Sequence, residues 1–179
     1  VFSGLKKITG KNYVERTVIK AIKNDIAIYA IHTNLDNMLN GVNEIIGRKL
    51  GLINTQILSH SSNTLRKLIT YVPVDYVEKV RESLFASGAG KIGNYDECSF
   101  NSMGEGTFRA GDGTSAFVGK KGKRHLETEQ KLEVIYAIDK QSGILSSLSN
   151  SHPYEVVAYD ILQLQNGNSD VGAGLIGEL

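Results

Sequence analysis

Along the first fifty residues the apolar positions follow two rhythms. From Tyr13 to Lys23 they fall at Tyr13, Val14, Val18, Ala21 and Ile22, with Glu15, Arg16, Lys20 and Lys23 on the other face. That spacing predicts an amphipathic helix. Asn24-Asp25 breaks it, and Ile26 to Ile31 is then a continuous apolar run rich in β-branched and aromatic residues, which reads as a fully buried strand. A polar stretch with Asn37, Asn40 and Gly41 follows, then a second helix from about Val42 to Leu50, ended by Gly51 as a C-terminal cap. Helix, strand, loop, helix is the grammar of an α/β layer, with one of its strands present here.

Leu52 to Asn63 reads as a polar connector whose composition marks a domain boundary. His60, within Ser59-His60-Ser61-Ser62, reads as a solvated loop histidine. Beyond it the pattern changes. Leu68 to Val72 is strand-like and Pro73 stops it. Asp75 to Ala86 is amphipathic, and Gly88-Ala89-Gly90 ends that helix. Tyr95 to Phe100 and Gly106 to Arg109 predict a hairpin turning at Gly104 and Gly106. Lys131 to Ile138 alternates like a strand, Ser142 to Ser151 is a helix, and Val156 to Leu164 is a last strand after the His152-Pro153-Tyr154-Glu155 interruption. The order β-α-β-β-α-β from Leu65 to Leu164 is the split, ferredoxin-like arrangement, whose open sheet edges invite pairing with other copies.

Composition narrows the function classes. With 41% apolar and 22% charged residues in 179, the chain has the balance of a globular protein with a real core. A net charge of +1 supplies no whole-chain field toward nucleic acid or acidic lipid. No apolar run approaches the length of a membrane span, and no signal peptide is visible. Cys98 stands alone, which rules out an intrachain disulfide framework and makes a reducing, cytoplasmic setting the expectation. Val1-Phe2 resembles the tail of an element and Leu175 to Leu179 lacks a polar tail, so the chain reads as a fragment truncated at both ends. The run Lys120-Lys121-Gly122-Lys123-Arg124 reads as a solvated loop; no aromatic platform sits among its charges, so nucleic acid is not an expected partner.

Candidate chemistry gathers at Ile31-His32-Thr33-Asn34-Leu35-Asp36-Asn37, where a buried strand would end. Imidazole and carboxylate are both ligands for a divalent cation, and strand ends are where ligands collect in α/β sheets. The alternatives are that Asp36 caps the following helix and that His32 is a core imidazole bonded to backbone. The His152–Glu155 corner carries a similar choice: a small-ligand or metal site, or a turn whose side chains cap the helix C-terminus and pack at a subunit contact.

With these pieces placed, the chain closely resembles the NIF-three-like dinuclear-metal family, also known as GTP cyclohydrolase I type 2 homologues. The resemblance is carried by Gly10-Lys11-Asn12-Tyr13-Val14-Glu15-Arg16 and by Asn24 to Asp36. It continues in Gly88-Ala89-Gly90-Lys91-Ile92-Gly93-Asn94-Tyr95, in Cys98-Ser99-Phe100 and Gly106-Thr107-Phe108, in His152 to Asp160, and in Val171 to Gly177. It implies an α/β shell around two divalent metal ions (zinc, iron, manganese or magnesium) with an inserted α+β domain similar to the CutA and PII signalling proteins. In domain terms, residues 1–63 would be a partial α/β metal-site domain, 64–166 the ferredoxin-like, CutA/PII-like insert, and 167–179 a return segment to the α/β domain.

The resemblance assigns Asp36 as a ligand bridging the metals and His32 as a ligand or close neighbour. It also implies self-assembly as a trimer or homohexameric ring, and a small-molecule or nucleotide substrate for a metal-dependent, cyclohydrolase-like hydrolase. The family further uses a His-His pair upstream of the residues matching Val1-Phe2, and a His and a Glu near its C-terminus. None of these is in this chain, so the chain alone is expected to bind metal weakly or not at all and to be inactive. The second reading is a non-catalytic regulatory or assembly protein. There the CutA-like domain makes the oligomer and senses a ligand through the Gly88–Tyr95 loop and the His152–Glu155 corner.

Overall fold

The computed structural model describes residues 4–38 and 40–179; the expectation placed on Val1-Phe2 lies outside them. The chain forms two compact units. One is built from the residues up to Ser59 together with Gly172–Leu179, and the other is His60–Val171, interposed between those two pieces in sequence.

In the first unit, helix α1 (Tyr13–Lys23) forms where the spacing predicts it. Its start is an N-cap: the Asn12 side chain accepts from the Glu15 backbone amide at 2.9 Å, and the Glu15 carboxylate accepts from the Asn12 side-chain amide at 2.8 Å. The other carboxylate oxygen collects the Thr9 amide at 2.8 Å, the Thr9 hydroxyl at 2.6 Å and the Lys11 amide at 3.2 Å. The Thr9 hydroxyl above all, helped by these amides and opposed by burial, holds the Glu15 carboxyl below the usual carboxylate range.

A single helical turn, α2 (Thr33–Asp36), precedes α3 (Val42–Leu50), which Gly51 closes in the left-handed conformation at φ 83°. Strands β1 (Ile53–His60) and β6 (Gly172–Glu178) pair as a two-stranded sheet. Gly47 on α3 is buried against Leu175 of β6, whose side chain a Cβ would push aside.

Two expectations fail in this unit. Ile26 to Ile31 is not a strand: no ladder partner is found for it among the described residues, and Ile26 is 61% and Tyr29 85% exposed. A strand needs a neighbour for its backbone groups and a face to bury, and the run has neither here. The supposed connector Leu52–Asn63 contains β1 instead. Its alternation of Ile53, Thr55 and Ile57 with Asn54 and Gln56 is the two-residue period of a half-exposed strand.

The His60–Val171 unit follows the ferredoxin-like order. It runs β2 (Leu65–Pro73), α4 (Val77–Ala86), β3 (Ser99–Arg109), β4 (Arg124–Ala137), α5 (Gln141–Ser151) and β5 (Tyr159–Gln163). The antiparallel sheet is ordered β3-β4-β2-β5, with Leu65 opposite Ala137, Thr70 opposite Tyr159 and Ser99 opposite Val134. Leu68, Val72, Leu132, Val134 and Tyr136 share one core with Val80 and Leu84 of α4 and Ile144 and Leu148 of α5. The fold is therefore mixed α/β with an interposed α+β unit of ferredoxin-like topology.

The predicted hairpin at Gly104 and Gly106 is corrected: both glycines lie inside the single strand β3, and the reversal into β4 is made by residues 110–123. None of the described helices is long and apolar enough to cross a membrane.

Candidate functional site

His32 stands just before the α2 turn and is solvent-exposed; Asp36 closes that turn and is half-buried. The Asn43 side-chain amide donates to the Asp36 backbone carbonyl at 2.7 Å, tying the turn to α3. Asp36 does not cap α3, whose N-cap is Gly41, and His32 is not a core imidazole. The turn thus offers one imidazole and one carboxylate, both metal-competent, four positions apart. Among the described residues, no three His, Cys, Asp or Glu side chains converge closely enough to hold an ion. A closed site takes about four protein ligands and two ions take more, so the residues present do not fit a complete metal centre.

At the His152–Glu155 corner the side chains pack and tether, His152 inward and Glu155 outward. His152 is buried at the end of α5, its Nε2 lies 2.9 Å from the Tyr71 carbonyl, and its Nδ1 accepts the Tyr154 amide at 3.1 Å. That pairing places the proton on Nε2, and burial holds the imidazole below its ordinary value near 6.5. With its ring pinned, His152 sets the backbone that carries Tyr154. The Tyr154 hydroxyl donates to Glu129 Oε1 at 2.9 Å, and burial followed by the Glu129 carboxylate pushes that phenol well above its ordinary range. Glu155 turns outward and accepts the Ser115 amide on both oxygens, at 3.0 and 3.2 Å, tethering the loop between β3 and β4.

These contacts frame a cavity of about 650 Å³. Strand alternation puts Ser102, Gly104, Gly106 and Phe108 of β3 on one sheet face with Glu129 and Lys131 of β4. That is the face opposite Leu132, Val134 and Tyr136, which meet the helices. The cavity lies on this face, with Phe117 and Ala116 of the tethered loop and Val156 completing its walls. Phe108 and Phe117 each lie 6.1 Å from Tyr154, centroid to centroid, and Phe117 meets Tyr76 edge-on at 5.5 Å.

Sequence reading missed Glu129 and Tyr154 as a pair, because 25 positions separate them. The one local signal was the pair of glycines inside a strand, which marks close approach of another group. The Gly88–Tyr95 loop does not line the cavity.

The whole chain has relatives. The family model for Duf34/NIF3 (NGG1p interacting factor 3) matches residues 1–178. A GTP cyclohydrolase 1 type 2 homolog from Halalkalibacterium halodurans is 41% identical over all of this chain and 48% of its own length; the one from Bacillus subtilis is 39% identical over the same shares. A crystal structure of a Bacillus cereus protein related to NIF3 superposes with a TM-score of 0.73 at 38% identity, covering 98% of this chain and 46% of the other. The chain spans about half the length of the curated relatives it matches. Matched along its length by that family model, and by a solved relative of the same fold, the chain belongs to the DUF34/NIF3 family.

Proposed function

We propose that the whole protein is a metal-dependent hydrolase, with His32 and Asp36 supplying part of the donor set for two divalent ions and His60–Val171 serving assembly and ligand binding. The observation that carries this reading is the α2 turn, which offers an imidazole and a carboxylate one helical turn apart within a chain of this family. The remaining donors would come from the length of the relatives that this chain does not span. The same length would cover the apolar side chains that the first unit leaves exposed, among them Ile26, Ile28 and Tyr29.

The relatives' name, GTP cyclohydrolase 1 type 2 homolog, makes GTP the first substrate to assay. The test is metal content and GTP hydrolysis of the full-length protein supplied with zinc, iron, manganese or magnesium. Two ions per chain, with content and turnover lost in Asp36→Ala, are expected. Full loading and turnover in that variant would remove Asp36 from the centre.

Self-assembly as a trimer or hexamer is part of the same proposal, supported by the outer edges of β3 and β5, which pair with no further strand among the described residues. Light scattering of the full-length protein checks it. The second reading, a non-catalytic regulatory protein, is favoured by one observation: the 650 Å³ cavity with polar groups converging on aromatic walls, which is the size and character of a small-molecule site.

A further inference from the structure

We propose that Asn166 is a self-modification site: its carboxamide is lost to attack by the Gly167 backbone nitrogen, leaving aspartate or isoaspartate in the segment between β5 and β6. The inference stands apart from both readings of function.

The sequence holds two Asn-Gly pairs, Asn40-Gly41 and Asn166-Gly167. Asparagine is thermolabile, and a glycine after it leaves the amide nitrogen unscreened by a side chain. The structure separates the two pairs. The Gly41 amide donates to the Met38 carbonyl at 2.9 Å, and Gly41 is buried at the N-cap of α3. Its proton is held, so its nitrogen is a poor nucleophile.

Asn166 and Gly167 are both exposed, in a bend outside the strands. Neither the Asn166 side chain nor the Gly167 amide has a hydrogen-bond partner among the described residues. Gly167 has a packing reason to be glycine. A Cβ there would stand 2.7 Å from the Ser61 carbonyl oxygen, a backbone atom that cannot swing aside. The segments on either side are stitched together, with the Asn168 amide donating to Thr64 Oγ1 at 2.7 Å and the Ser61 amide to the Val171 carbonyl at 2.9 Å. The glycine is therefore fixed, and the exposed residue before it is one that an unscreened amide can attack.

Solvent base takes the Gly167 N–H proton, the nitrogen bonds to Asn166 Cγ, and the side-chain nitrogen leaves as ammonia, regaining that proton through water. The product is a cyclic imide. Water then cleaves one of its two carbonyl–nitrogen bonds. Opening at Cγ gives aspartate; opening at the Asn166 backbone carbonyl gives isoaspartate, whose main chain runs through the side chain. The sum is one water consumed and one ammonia released. Either product adds a negative charge. The iso product also lengthens the backbone by a methylene, two residues before the Asn168–Thr64 bond.

The experiment is incubation of the full chain at mildly alkaline pH, folded and in urea. Peptide mass spectrometry follows both asparagines, and methyl transfer from labelled S-adenosylmethionine by an isoaspartate-specific methyltransferase follows the iso product. In the folded chain Asn166 converts about tenfold faster than Asn40, the factor that one intact hydrogen bond on the Gly41 amide imposes. In urea the two rates converge. Asn166→Gln removes the isoaspartate signal of the folded chain, and an unchanged melting temperature shows that the loss is not unfolding. Amide exchange at Asn168 is faster in the converted chain than in one kept at mildly acid pH.

An Asn166 that stays intact in the folded chain while converting in urea would overturn the proposal. So would folded-state conversion of Asn40 as fast as that of Asn166, or an isoaspartate signal that survives Asn166→Gln. Unchanged exchange at Asn168 would overturn the loosening of the Asn168–Thr64 bond.

Discussion

The two units of this chain use apolar residues in opposite ways. In His60–Val171 the apolar residues of β2, β4, α4 and α5 close on one another, and Leu68, Val72, Val80, Leu84, Leu132 and Ile144 are fully sealed. In the other unit only Ala21 and Ile57 are buried among the described apolar side chains, while Ile26, Ile28, Tyr29, Ile45, Ile46 and Leu50 stand in solvent. Local structure is nevertheless well formed there, with a capped α1 and a glycine-terminated α3. Capping and helical spacing can therefore specify an element before any core exists to hold it. The metal-competent pair sits in the unit without a core and the cavity in the unit with one.

The contrast is open to direct attack. Leu132→Ala deletes contacts at the centre of the sealed core and should cost about 2–5 kcal/mol in urea unfolding, while Ile28→Ala should change stability by no more than about 0.5 kcal/mol. Equal effects would erase the distinction. Gly106→Ala should change stability by no more than about 1 kcal/mol, because the gain from replacing a strand glycine is offset by displacing the Glu129 carboxylate, the far end of a flexible side chain.

Asn12→Ala should remove about 1 kcal/mol of local helix stability, read as faster amide exchange in α1 with the unfolding midpoint of His60–Val171 unchanged. Because the Glu15 carboxyl is held low, its contacts contribute above the ordinary carboxylate range and are lost as pH falls through its depressed value. Protection at Thr9 and Lys11 should follow that fall.

The smallest effect is at His152. Its depressed value means the unfolded chain takes up the proton first, so stability is full above about 6.5 and declines as pH drops through the folded value. Thermal melts between pH 7 and pH 5 should show that decline, and His152→Gln should flatten it.

What could be read from the sequence follows the same division. α1, α3 and the βαββαβ order were legible because period, caps and breakers act over a few residues. Ile26–Ile31 was misread because an apolar β-branched run encodes a demand for neighbours, not their presence. β1 was hidden by Asn54 and Gln56, which belong to the outward half of its alternation. Gly104 and Gly106 looked like a turn because the reason for Gly106, a carboxylate from the next strand, is a tertiary contact. The metal-competent pair His32 and Asp36 was visible as a motif, but the cavity was not: its carboxylate, phenol and phenyl groups come from separate strands and loops.

Native-state hydrogen exchange on the full chain tests the central contrast most directly. Amides of β2, β4, α4 and α5 should exchange only through global unfolding, while those of α1, α3 and residues 26–31 exchange through local opening at far lower free energy. Uniform protection across both sets would mean that the first unit has a closed core of its own, and would contradict the account.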